Sequence, residues 1–202
     1  NQQNDLVNEL GQRIDKKDIM FFAKNSELSA FLKEMHSDGG VYATPSNRLG
    51  TYLAVVDANV AGGKTDAMID QRIDASINVD TSGSILTDLK VQRSHKGGDK
   101  RDPWWNSRNQ NFIQILTDSG ATLVSMNGNS IKKEKTSFNY MTSGYDEYPD
   151  LVSIDDSRIT LSEFNAWAMN EYGKRAFGTW FNTDAGKTGV LTLRYHNDNT
   201  SL

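Results

Sequence analysis

The 202-residue chain contains no cysteine, and this one absence removes disulfide scaffolds, thiolate catalysis and cysteine-ligated metals together. It leaves the compartment open, because an exported bacterial protein and many cytosolic ones share it. No apolar run approaches the roughly 18 to 20 residues a membrane-spanning helix needs, so no membrane span is expected within these residues. Long runs of like charge are missing too. With a net charge of −4, nucleic-acid binding is not expected, since general nucleic-acid binders usually carry a basic face. Internal repeats and low-complexity tracts are absent. The sequence starts at Asn1 without a methionine, a basic n-region or an apolar h-region. A piece of a longer protein is therefore expected, with any targeting or anchoring segment lying elsewhere.

Catalytic signatures are equally sparse. His36, His95 and His196 are too far apart for a metal motif, and no His-Glu-x-x-His or Gly-x-Ser-x-Gly spacing occurs. No carboxylate pair stands out as a general acid and base. The sequence assigns no catalytic, cofactor-binding or metal-binding residue.

What is present describes a folded protein: 37% hydrophobic and 24% charged residues, in a chain long enough for one large domain or a domain with a small companion. Leu6, Leu10 and Ile14, with Val7 beside them, form an apolar stripe that predicts a helix over 4–16. The run "IMFFA" at 19–23 reads as a strand. Asn25 or Ser26 can cap a second helix with Leu28, Phe31, Leu32 and Met35 on one face, ended by Gly39-Gly40.

From about residue 50 the period becomes two. "TYLAVVD" reads as a buried strand. Over 67–79 the alternation Ala67, Ile69, Gln71, Ile73, Ala75, Ile77, Val79 predicts a long strand with one buried face. "DTSG" at 80–83 carries hairpin-turn chemistry, and Ile85, Thr87, Leu89 and Val91 continue the alternation on an antiparallel return. Further strands are expected at 111–117, 121–126, 134–141, 157–161, 174–182 and 188–195, with "SGYDEYPD" at 143–150 as a long loop.

"ANVAGGKTD" at 58–66 raises a nucleotide question. Ala58, four residues and Gly63-Lys64-Thr65 match a relaxed phosphate-binding loop. Such a loop needs a following helix whose N–H groups and dipole face the phosphate, and here a period-2 segment follows instead. "LVSIDD" at 151–156 resembles an apolar run ending in a magnesium-holding Asp, but that is a common pattern. "DAGKTG" at 184–189 repeats Gly-Lys-Thr between two evident strands, where it must be a turn. The stretch at 58–66 is therefore expected to be a connection between strands, with Asp57 and Asp66 orienting it through nearby backbone N–H groups.

Two other groups invite a function. Trp104-Trp105 follows Pro103 in a loop carrying Lys96, Lys100, Arg101 and Arg108. Adjacent tryptophans there, with Arg101, could stack on sugar rings or grip a partner. The alternative, which tryptophan's usual burial favours, is a lid over one end of a sandwich. Asp146, Glu147, Asp150, Asp155 and Asp156 form the densest acidic group. It does not follow the twelve-residue calcium loop, so a solvated loop is expected.

The run "YLAVVDANVAGGKTDAMIDQRIDASINVDTSGSILTDLKVQRSH" resembles the most recognisable stretch of the bacterial family called domain of unknown function 4012. "KKDIMFFAKNSELSAFLKEM" and "NEYGKRAFGTWFNTDAGKTGVLTLRYHN" resemble its preceding segment and closing hairpin. The chain departs from the family at "HKGGDKRDPWWNSRNQNF" and "IQILTDSGATL", where a tyrosine-containing segment leading to Val-Pro-Gly is usual. The resemblance implies the C-terminal part of a membrane-anchored protein exposed outside the cytoplasm, at the cell surface or in the periplasm. It implies a preceding region similar to LytR-CpsA-Psr domains, which attach glycopolymers to cell walls.

The expected fold is α+β and mainly β: an antiparallel β-sandwich over 49–202 preceded by a helix-strand-helix segment over 1–48. The expected role is a non-catalytic structural or binding module of a cell-envelope protein, its partner a wall glycan or another envelope protein. The alternatives are an accessory part of a wall-glycopolymer transferase and a carbohydrate-binding module. Nothing in the sequence sets the oligomeric state.

Overall fold

The computed structural model describes residues 2–41, 50–60, 63–98, 102–131, 142 and 144–197. The chain divides into two compact units, Asn1–Pro45 and Ser46–Leu202.

The first unit holds α1 (Gln2–Asp15) and α2 (Ser26–Glu34). Asn25 caps α2 as its residue type allows, Oδ1 accepting the Leu28 N–H at 2.9 Å. The helix does not run to Gly39-Gly40. It ends at Glu34 because His36 takes a left-handed conformation, φ +52°. Ser37 N–H then reaches back to Leu32 C=O and His36 N–H to Lys33 C=O, the paired bonds of a left-handed C-terminal cap. "IMFFA" forms no strand. Phe21 N–H donates to Ser37 C=O, a single rung with no ladder on either side, and Met20 and Phe22 are exposed. Apolar character alone does not make a strand without a partner edge.

The second unit is two antiparallel sheets. One has five strands in the order β1-β4-β8-β7-β6, the other four in the order β2-β3-β9-β5. The strands are β1 (Leu53–Asn59), β2 (Ile69–Val79), β3 (Ile85–His95), β4 (Asn111–Asp118), β5 (Thr122–Asn127), β6 (Ile159–Leu161), β7 (Ala166–Glu171), β8 (Lys174–Trp180) and β9 (Thr188–Asn197). Two short helices interrupt them, α3 (Pro103–Asn106) and α4 (Pro149–Asp156). The "LVSIDD" run lies in α4, so it is not a strand-borne magnesium ligand. The strand expected at 134–141 lies outside the described residues.

The sheets pack face to face through the alternate residues that each turns inward. Leu89, Val91, Leu191, Leu193 and Tyr195 of one meet Ile113, Ile115, Ala168 and Phe177 of the other in one buried cluster, and the Phe177 and Tyr195 rings lie 6.1 Å apart. The β2–β3 hairpin forms as its pattern predicts, pairing Ile69 with His95 through to Val79 with Ile85. Asp80 Oδ1 accepts from Ser82 N–H, Ser82 Oγ–H and Ser84 N–H at the turn. These bonds, the Ser82 hydroxyl first, hold the Asp80 carboxyl below its ordinary range.

The long strand departs from expectation twice. It begins at Ile69, after a 3-10 turn over Thr65–Met68, and its core-side face is not buried. β2 is the edge of its sheet, and the opposite sheet covers β3 without covering β2.

Candidate functional site

The glycine-bearing turn opens into a buried polar network centred on Arg93. Arg93 follows Leu89 and Val91 on the inward parity of β3, which carries its guanidinium into the sandwich with 2% exposure. Nη1 donates to Asp57 Oδ1 at 2.5 Å and to Gln71 Oε1 at 2.6 Å. Nη2 donates to Asp66 Oδ1 at 2.9 Å and Asn109 Oδ1 at 3.3 Å. The amides close the ring: Gln71 Nε2 donates to Asp57 Oδ2 (2.8 Å), Asn111 Nδ2 to Asp57 Oδ1 (2.6 Å) and Asn109 Nδ2 to Asp66 Oδ1 (2.8 Å).

Thr65, itself buried, accepts at Oγ1 from Asn59 Nδ2 (3.1 Å) and Asn109 Nδ2 (2.9 Å), while Asn59 Nδ2 also donates to Gly63 C=O. Asp57 and Asn59 come from β1, and Asn109 and Asn111 from the chain entering β4. Gln71 and Arg93 come from the other sheet. The network therefore ties the two sheets together at one end. Among the described residues, the partners of Asp57 and Asp66 are side chains rather than the turn N–H groups the sequence suggested.

This arrangement fits a clamp rather than a phosphate cradle. Thr65 and Asp66, the residues that would serve a nucleotide, spend their oxygens on Asn59, Asn109 and Arg93. Lys64 stays exposed, and a 3-10 turn and a strand stand where the phosphate-binding helix would be. Lys64→Ala is accordingly expected to shift stability by less than ~0.5 kcal/mol. Thr65→Ala, which strands two amide donors, is expected to cost ~1–3 kcal/mol. Urea titration measures both. ATP binding by the parent chain that disappears in Lys64→Ala would restore the nucleotide reading.

The Trp104-Trp105 loop is anchored beside this network. Lys64 N–H donates to Trp104 C=O at 2.8 Å. His95, next inward on β3 after Arg93, accepts Gly97 N–H at Nδ1 (3.0 Å) and bonds Ser107 C=O through Nε2 (2.9 Å). Because a carbonyl only accepts, Nε2 carries the proton. Asp102 caps α3 at Trp104 N–H, Asn106 Oδ1 accepts Gly98 N–H, and Arg108 pairs with Asp184 at 2.5 Å. The second Gly-Lys-Thr turn lies at this end too: Gly186 N–H donates to His95 C=O, and His95 N–H to Lys187 C=O. Held this way, Trp104 and Trp105 keep 53% and 39% exposure, so neither folds inward as a lid. Arg101, grouped with them from the sequence, lies outside the described residues.

Compared with known proteins, the chain matches no family model, no curated protein and no solved structure.

The remaining polar features are dispersed. Asp150, Asp155 and Asp156 lie on α4, with Asp146 and Glu147 on the segment before it. Among the described residues, no three His, Asp or Glu side chains converge to hold a metal ion. An open groove of about 440 Å³ crosses the outer face of the four-stranded sheet, lined by Asp74, Ser76, Asp88, Lys90, Thr192 and Arg194 among others. Its two carboxyls lie below their ordinary range, Asp88 through its bonds from Arg194 and Asp74 through those from Arg72. That direction opposes what a proton donor at neutral pH requires.

Nothing in the sequence motifs points to Arg93, although its position carries a signal. A charged residue at an inward position of an otherwise apolar alternation must find buried partners, and Gln71, opposite it in the hairpin register, breaks the pattern on β2.

Proposed function

We propose that this chain is a non-catalytic extracytoplasmic module of an envelope-anchored bacterial protein, and that it presents Trp104 and Trp105 to a cell-wall glycan. The observation that carries the reading is an exposed aromatic pair on a bonded base. Bonds from Lys64 to Trp104, His95 to Ser107 and Asn109 to Thr65 tie residues 104–109 to the sandwich end, and the two indoles there remain open to solvent. Aromatic faces suit the C–H faces of sugar rings, and a backbone already tied down beneath them loses little further freedom on binding. The extracytoplasmic and envelope terms rest on the resemblance to domain of unknown function 4012. The non-catalytic term rests on the way the motif residues are consumed within the fold.

Retention on insoluble bacterial wall polysaccharide tests it. The parent chain is expected to be retained, and the double variant Trp104→Ala/Trp105→Ala to lose most of that retention while its thermal transition stays within a few degrees, since surface truncations rarely cost more than ~0.5 kcal/mol. Equal retention of both proteins would end the glycan reading.

A further inference from the structure

Among the described residues, the edge of β2 is unlike the other three sheet edges. β6 has three residues and β5 carries a bulge between Leu123 and Ser125, ways in which native sheets blunt an edge, while β1 is regular but four residues shorter than β2. β2 is eleven residues long, pairs with β3 without a break in register, and contains no proline. It also carries an exposed apolar face. Ile73, Ala75, Ile77 and Val79 stand opposite Val91, Leu89, Thr87 and Ile85, which are buried, so they point to the core side of the sheet. Yet Ile73, Ile77 and Val79 are 43%, 49% and 56% exposed. The outer face carries Asp70, Arg72, Asp74, Ser76 and Asn78.

We propose that β2 pairs antiparallel with β2 of a second copy of this chain, about a two-fold axis through Ile73, joining two four-stranded sheets into one continuous sheet. Charge and strand length together select that register: an axis at Gln71 also sets Arg72 against Asp70, but it pairs only residues 69–73 of the strand, whereas the axis at Ile73 pairs 69–77. Side chains directly opposite in an antiparallel pair share a face, so a two-fold axis normal to the sheet must pass through one residue position. An axis at Arg72 sets Arg72 against itself and Asp70 against Asp74. At Asp74 it opposes two carboxylates. At Ala75 it pairs Asp74 with Ser76 and Arg72 with Asn78, leaving both charges without an opposite.

The axis at Ile73 sets Arg72 against Asp74 of the second copy, twice over, with Asp70 facing Ser76. On the core side it sets Ile73 against Ile73 and Ile69 against Ile77, extending the apolar strip across the junction. Arg72 and Asp74 already bond within one strand at 2.9–3.0 Å, so the four charges would alternate in sign around the axis. Opposite charges directly across an antiparallel pair stabilise it, and like charges oppose it.

The experiment is a charge swap on the 202-residue chain, read by sedimentation equilibrium. The parent chain is expected to dimerise. Arg72→Asp places two pairs of facing carboxylates across the axis and Asp74→Arg two pairs of facing guanidinia, so each variant alone is expected to weaken association at least about 10-fold. An equimolar mixture restores both opposite-charge pairs and is expected to form a one-to-one heterodimer. Both positions are exposed, and circular dichroism of each variant verifies the fold. A parent chain that stays monomeric up to about 1 mM overturns the proposal, as does a dimer indifferent to both variants. Dissociation by both without rescue in the mixture overturns the register.

Discussion

Replacing Arg93 with Ala is expected to destabilise the sandwich by about 3–5 kcal/mol, among the largest effects of any single substitution in the chain. The size follows from what is left behind. Asp57 accepts at its two oxygens from Arg93, Gln71 and Asn111 with its side chain 21% exposed, and Asp66 shares Arg93 from a more open position. Removing the guanidinium leaves one largely buried carboxylate without a counter-charge and strips two amide oxygens of a donor.

Lysine repairs little. It offers one point charge, whereas Arg93 reaches Asp57 and Asp66 through two nitrogens of one planar fork. Arg93→Lys is therefore expected to recover less than half of the loss. The double variant Arg93→Met/Asp57→Asn removes the guanidinium and the more buried carboxylate and leaves only the half-exposed Asp66 without a counter-charge, so it should be closer to the parent than Arg93→Ala, because an uncompensated buried charge is costlier than a missing pair. Urea unfolding of the four proteins decides this. An Arg93→Ala loss under about 1 kcal/mol would show that the network contributes little to holding the sheets together.

The second large effect comes from one missing methyl group. Gly128, just past β5, has φ +87°, and a Cβ built there would lie 2.0 Å from Val190 C=O on β9. Backbone cannot yield as a side-chain tip can, so Gly128→Ala is expected to cost about 3 kcal/mol or more, combining the left-handed conformation with a steric clash. Gly173 separates the two contributions. Its φ is +73° but nothing lies within 4 Å of its virtual Cβ, so Gly173→Ala should cost only about 1 kcal/mol. Thermal unfolding of both variants supplies the comparison, and equal losses would mean that conformation alone sets the cost.

Sequence periodicity revealed strands wherever large apolar residues alternate with polar ones. β3, β4, β5 and β9 were legible for that reason, and so was the Asp80 turn. β7 was not, because Ala166 and Ala168 face the core with side chains too small to mark a hydrophobic period. Its one clear sign was Tyr172-Gly173, two successive left-handed residues that close the hairpin to β8. Alternation on β2 predicted the strand and which residues face the core side, but it carries no information on whether a second layer reaches that far.

The candidate site was legible only in pieces. Gly63-Lys64-Thr65-Asp66 stood out as a motif and Trp104-Trp105 as a loop. Their meeting depends on the Lys64–Trp104 backbone bond, and the clamp beneath them draws on chain segments that only folding brings together. Local patterning shows that a charged residue must be buried; it does not show with what.

The Asp80 turn also bears on the order in which the sheet can assemble. It joins β2 and β3 through five residues, whereas β3 meets β9 only by closing the chain between Ser94 and Thr188, a loop roughly four doublings longer and about 2.5 kcal/mol costlier in chain entropy. The hairpin is thus the cheapest part of its sheet to close. A hairpin that closes first would set Arg93 in place ahead of Asp57 on β1 and of Asn109 before β4, leaving its guanidinium hydrated until the second sheet docks.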